Sequence, residues 1–266
     1  MITQGETAAL SWGYSLKEVQ MRSLVLASIL VLPAALAAQQ PAPTPEQQLD
    51  KLQAKFNDFA QLKRYAADNE KLGDPKPGTQ RVVFYGDSLT DNWGRRFGKF
   101  FPGKPYVNRG ISGQTTPQML IRFQQDVVHL KPAVVVILAG TNDLAENTGP
   151  ESMEMIHDNF RSMVALAKTN HIRVVISSVL PADHFPWHAG LTPAVQIVEL
   201  NAWLVDFCKS EHLVYLDYYP ALATPEGAMK PELAVDKAVH PNDAGYTLME
   251  PLAEAAIAKS LAQPAP

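Results

Sequence analysis

Four short stretches of this chain hold the residue types that acyl transfer needs. Gly86-Asp87-Ser88-Leu89-Thr90 sets a serine between an apolar run and a helical pattern. A serine on such a strand-to-helix turn can present its hydroxyl beside the free N–H groups of a helix N-terminus; the plainer reading is a helix N-cap. Asn108-Arg109-Gly110-Ile111-Ser112-Gly113-Gln114-Thr115-Thr116 holds a glycine that lets the backbone approach a bound group and aim an N–H at it, or else forms an ordinary Gly/Ser loop. Ala139-Gly140-Thr141-Asn142-Asp143 offers an amide donor to a developing anion, or simply a polar turn into a helix. Asp236-Lys237-Ala238-Val239-His240-Pro241-Asn242-Asp243 supplies a histidine able to take the serine proton and return it to a leaving group. Pro241 and Asn242 mark a helix start directly after it.

The elements that must position these residues follow from hydrophobic patterning. Candidate strands are Arg81–Tyr85, Tyr106–Asn108, Ala133–Leu138, Val174–Ser178 and Leu213–Leu216. Helical patterns lie between them at Thr116–Leu130, Ser152–Asn170 and Pro193–Glu211, and a last helix follows Pro241. The runs Val134–Leu138 and Val174–Ile176 are continuously apolar, as in parallel strands covered on both faces. Right-handed crossovers then predict a three-layer α/β/α domain with a flavodoxin-like parallel five-stranded sheet over residues 79–262. Ligands bind beyond the carboxyl ends of such strands, and the four stretches are expected on that one rim.

In this order and wording the stretches resemble the SGNH hydrolase superfamily, the GDSL-type lipases and esterases, through Arg81–Leu261. The wording at Asn108–Thr116 and Ala139–Asp143 is most similar to bacterial acylhydrolases related to platelet-activating-factor acetylhydrolase subunits. The resemblance implies Ser88 as nucleophile, His240 as base and then acid, and an oxyanion hole from the N–H groups of Ser88 and Gly110 with the Asn142 side chain. It implies no cofactor. The family pattern sets an orienting aspartate three residues before the histidine, where this chain has Lys237. Asp236 lies four residues before it, so either a one-residue shift of the turn brings Asp236 to the ring or a backbone carbonyl holds His240 instead.

Composition narrows the rest. With 46% hydrophobic and 19% charged residues the chain can bury a large core. A net charge of −4 gives no electrostatic reason to bind nucleic acid. Cys208 is the only cysteine, which excludes a disulfide framework and reads as a core thiol. His184 and His188 are four apart, but Pro186 keeps them off one helical face, so no metal site is expected.

The N-terminal part reads as targeting sequence. Met21-Arg22 followed by the apolar run Leu24–Leu36 and a small-residue site near Ala37 predicts a signal peptide over 21–37. Residues 1–20 lack such features, and translation is expected to begin at Met21. The apolar run is short for a membrane span, and no cysteine at the cleavage site offers a lipid acceptor, so no stable membrane anchor is expected. A Pro/Ala/Gln linker over 38–45 leads into an amphipathic helix over Glu46–Leu72, carrying Leu49, Leu52, Phe56, Phe59 and Leu62; the turn at 73–78 stops it. That helix is expected to pack on the main domain, with a dimer or membrane surface as the alternative.

The expected function is a secreted serine esterase cleaving short-chain acyl or acetyl esters of small molecules or polysaccharides. One alternative is a longer-chain lipase or lysophospholipase, with Phe185 and Trp187 in the loop Leu180–Leu191 as channel walls. The other is a catalytically dead binding module on the same scaffold.

Overall fold

The five apolar runs form five parallel strands in the order β2-β1-β3-β4-β5. The computed structural model describes residues 43–264 and residue 266. Along the chain come α1 (Pro45–Asn57), α2 (Ala66–Leu72), β1 (Val82–Gly86), α3 (Ser88–Asp91), β2 (Tyr106–Gly110), α4 (Thr116–Asp126) and β3 (Val134–Leu138). They are followed by α5 (Thr141–Leu144), α6 (Met153–Thr169), β4 (Arg173–Ser177), α7 (Ala194–Ser210), β5 (Val214–Leu216), α8 (Tyr219–Leu222) and α9 (Asp243–Leu261). This is the three-layer flavodoxin-like architecture the patterning predicts. Every residue of β1 and β3 is buried, which explains why these strands show no polar alternation.

Register and handedness prepare the site. Gly86 pairs with both Gly110 and Leu138, so the turns after β1, β2 and β3 open side by side. Right-handed crossovers put α4, α6 and α7 on one face and α3 with α9 on the other. Side chains agree: His157 of α6 stacks on Trp203 of α7 with ring centroids 3.9 Å apart. On the opposite face Tyr246 of α9 donates from its hydroxyl to Leu89 O at 2.9 Å and packs against Trp93 at 5.0 Å. Trp93 is thus a packing residue behind the Ser88 turn. Cys208 is buried, and burial pushes its thiol up to about 12, so it stays an inert core group.

The N-terminal helix departs from expectation. Instead of one helix over Glu46–Leu72, α1 and α2 are separated by turns, with Gln61 at φ 55°. The Asp58 carboxylate accepts the Leu62 N–H at 2.7 Å, satisfying locally a donor that a continued helix would have bonded to backbone. The break turns Ala60 and Tyr65 into the core. Nor does α1 pack as predicted: it buries no residue, and Leu49, Leu52 and Phe56 are exposed.

Residues Pro45–Pro266 form one compact unit. The readings for the start at Met21, the signal segment 21–37 and the linker as far as residue 42 lie outside the described residues. Among the described residues, no helix is long and apolar enough to cross a membrane.

Candidate active site

The turn after β1 is built around close contacts. A Cβ on Gly86 would lie 2.3 Å from Thr90 Oγ1 and 2.6 Å from Leu138 O, so only glycine lets the chain turn so tightly against β3. Asp87 caps α3, accepting the Leu89 N–H at 2.9 Å. Ser88 is the first residue of α3, where the N–H has no intrahelical acceptor. Its hydroxyl lies 2.9 Å from His240 Nε2.

His240 arrives from the α9 side, held by a carboxylate. Asp236 Oδ2 is 2.6 Å from His240 Nδ1, while its Oδ1 accepts the N–H groups of Ala238, Val239 and His240 at 2.9–3.0 Å. Lys237, standing where the family pattern has aspartate, takes the left-handed conformation at φ 60°. That conformation absorbs the extra residue and lets Asp236 reach the ring, against a cost of roughly 1–2 kcal/mol for a side-chain-bearing residue. Burial alone would raise the Asp236 carboxyl, but hydrogen bonds from His240 and the turn's N–H groups outweigh it and hold it well below the usual carboxylate range. An ionised Asp236 fixes the proton on Nδ1, leaving the Nε2 lone pair toward Ser88.

The two other rim residues stand where the register puts them. A Cβ on Gly110 would fall 2.2 Å from Asp91 N, so β2 ends in direct contact with α3, the helix that Ser88 opens. The Gly110 N–H donates to Asn108 Oδ1 at 2.9 Å. Asn142 Nδ2 donates to Asp87 Oδ2 and to Gln114 O, each at 3.0 Å. Its Oδ1 accepts from Asn147 Nδ2 at 2.8 Å, and Asn147 Oδ1 accepts from Trp187 Nε1 at 3.0 Å. The Asn142 amide is thereby oriented from every side. Burial pushes the Asp87 carboxyl up to about 6, against the pull of the Leu89 N–H and of His240. Burial also raises Asp143, to about 8, although Thr116 donates two hydrogen bonds to it.

Beneath this rim lies a side chain that sequence reasoning missed. Arg122 of α4 is fully buried. Its guanidinium donates to Gly86 O and Arg109 O at 2.9 Å each, to Gln114 Oε1 at 2.5 Å and to Asp126 Oδ2 at 3.1 Å. It therefore ties together the strand ends preceding Ser88 and Gly110 and the residue whose carbonyl holds Asn142. At a helical position an arginine reads as solvent-facing, and its partners are scattered over 40 residues of sequence. Arg122→Met strips the buried Asp126 carboxyl and the Gly86 and Arg109 carbonyls of their guanidinium donor and is expected to cost about 3–5 kcal/mol of stability in urea denaturation. A loss below about 1 kcal/mol would mean that the network contributes little.

Ser88, Asn142, His240, Asp236, Trp187 and Arg96 line a cavity of about 460 Å³. Of the two aromatics expected as channel walls, Trp187 stands in this cavity, its ring centroid 5.7 Å from that of His240, whereas Phe185 is buried in the core. His184 and His188 turn to separate partners, Asp183 and the Ala145 carbonyl. No cluster of three or more His, Cys, Asp or Glu that could hold a metal occurs among the described residues. The arrangement gives a hydroxyl in contact with an imidazole, a carboxylate on the imidazole's far side and N–H donors alongside, which is the equipment for attack on a carbonyl.

Comparison with known proteins points the same way. A GDSL-like lipase from Bacteroides thetaiotaomicron VPI-5482 superposes with a TM-score of 0.73 at 43% identity, over 76% of this chain and 98% of that one. A candidate acylhydrolase from Bacteroides fragilis NCTC 9343 gives 0.74 at 42% identity over the same shares. The uncharacterized lipoprotein YqeF of Bacillus subtilis (strain 168) is 29% identical over 173 residues, 58% of this chain and 61% of that protein's length. The sequence model of the GDSL-like lipase/acylhydrolase family matches residues 80–248, a span holding all four rim stretches. The chain belongs to that family, as a carboxylic ester hydrolase.

Proposed function

We propose that the protein is an exported serine esterase that cleaves carboxylic esters of short acyl groups through an acyl-enzyme, with Ser88, His240 and Asp236 as its triad. The observation that carries this reading is the unbroken line from Asp236 Oδ2 through the His240 ring to the Ser88 hydroxyl, at 2.6 and 2.9 Å. Ser88 Oγ attacks the ester carbonyl as its proton passes to His240 Nε2. The N–H groups of Ser88 and Gly110 and the Asn142 amide hold the oxyanion. The latter two donors otherwise rest on Asn108, Asp87 and Gln114. A full negative charge is a stronger acceptor than the amide oxygens of Asn108 and Gln114 and draws over the hydrogens they hold, while the second Asn142 hydrogen stays on Asp87. His240 then protonates the departing alcohol, and the imidazole next takes a proton from water, which attacks the acyl-enzyme and releases the acid and Ser88.

Export rests on Met21-Arg22 with the apolar run Leu24–Leu36, and is in keeping with the lipoprotein class of YqeF. The test is a fluorophosphonate probe followed by peptide mass mapping, run beside p-nitrophenyl acetate hydrolysis. A single adduct on Ser88 with loss of hydrolysis is expected. Folded protein that neither takes the label nor turns over the ester would be a binding module on a hydrolase scaffold. Longer acyl groups are a second reading, favoured by a cavity that adjoins the site.

A further inference from the structure

The catalytic cavity does not end at the oxyanion residues. Ser112, Gly113 and Asn147 line it and also line a second cavity of about 930 Å³, whose far wall is Phe56 at the end of α1 and Phe59 in the turn after it. Phe56 is 83% exposed and Phe59 42%, so both rings offer open apolar surface. We propose that this groove is the acyl-chain subsite, which would make Phe56 and Phe59 the residues that set acyl length. The proposal rests on the reading of Ser88 and His240 given above.

The direction follows from the chemistry. The departing alcohol oxygen must face His240 Nε2, because that atom returns the proton to it. His240 reaches Ser88 from the face of the sheet covered by α3 and α9. The acyl substituent on the attacked carbon therefore leads toward the other face. The segment after α1 sits on that face, tied to α4 and the loop before it: Gln118 Nε2 donates to Phe59 O at 2.6 Å, Gln114 Nε2 to Ala60 O at 2.8 Å and Gln125 Nε2 to Leu62 O at 2.7 Å. Trp187 stands beside the imidazole and donates from Nε1 to Asn147, on the wall the two cavities share.

The occupant follows from which groups are already engaged. Asp58 accepts from Leu62 N–H, Gln118 is bonded at both ends, and Thr148 pairs with Thr115 and Glu151. Asn147 is bonded on both its amide atoms. Lys55 and Gln61 line it as well, and beside these polar heads the groove offers a ligand the exposed faces of two phenylalanines. Those two faces are apolar surface that a methylene chain covers favourably and a sugar hydroxyl does not.

The test compares p-nitrophenyl acetate with p-nitrophenyl decanoate on the full chain. Phe56→Ser and the double variant Phe56→Ser/Phe59→Ser are set beside Leu49→Ser, which changes an exposed apolar residue of the same helix outside the groove. The decanoate-to-acetate ratio of kcat/KM is expected to fall about tenfold in the double variant, the loss of roughly two buried methylenes, and to hold in Leu49→Ser. Equal losses on both esters, or the same shift in Leu49→Ser, would overturn the proposal. Calorimetric titration of decanoate into the Ser88→Ala protein reads the groove without the reaction. If the wild type cleaves neither ester, the esterase reading fails, and the groove stands or falls on this titration. Binding weakened about tenfold by the double substitution sustains it, and unchanged binding removes it.

Discussion

Ser88→Ala is expected to lower kcat on p-nitrophenyl acetate by about 10⁶, the scale reached when a serine hydrolase loses its nucleophile. The hydroxyl removed makes its hydrogen bond to His240 Nε2, so the fold has little reason to notice. Asp87 still caps α3, and the glycine contacts at 86 and 110 are untouched. His240→Ala should cost a similar factor, and the double variant little more, because nucleophile and base act in one step. Burst kinetics, with intact-mass detection of the acetylated enzyme, gives the check. A Ser88→Ala protein that keeps a hundredth of the wild-type rate would show that the reaction runs through another group.

Asp236→Asn is expected to lower kcat by about 10⁴ with little change in KM, because an amide that donates to His240 Nδ1 imposes the wrong tautomer. Nε2 would then carry the proton and face the Ser88 hydroxyl with nothing to accept from it. If a backbone carbonyl could orient the ring equally well, the loss would stay within about tenfold. The carboxylate also has a signature in stability. Its native pKa is depressed, so its contribution is present above the ordinary aspartate value of about 3.9 and is lost as pH falls through the native value. Urea titrations of wild type and Asp236→Asn should therefore differ at neutral pH and converge in strong acid.

The parts legible in sequence were those with a local cause. Strands buried on both faces announce themselves as unbroken runs such as Val134–Leu138, and their register then sets Ser88, Gly110 and Asn142 side by side. The approach of Asp236 to His240 is not legible in sequence, because it turns on Lys237 taking a left-handed conformation that lysine does not signal. Arg122 and Asn147 stayed hidden for another reason. Each acts through partners distant in sequence, and neither a buried guanidinium nor a loop amide has a periodicity. The amphipathic pattern of 46–72 is real, yet it implies one packed helix; Asp58 and the turn at Gln61 break it, and α1 keeps its apolar side open.

The segment from Asp58 to Leu72 lies ahead of the family match that begins at residue 80, yet it is bound into the floor of the catalytic rim. The Tyr65 hydroxyl donates to Gly110 O, Asn69 Oδ1 accepts from Arg109 Nε at 2.7 Å, and Ala60 O receives Gln114. A gene trimmed to the matched span would encode every motif that identifies the protein and yet leave the Gly110 carbonyl, the Arg109 guanidinium and the Gln114 amide without these partners. For this chain, the smallest unit that can be inherited or transplanted whole is longer than the one by which its kin are recognised.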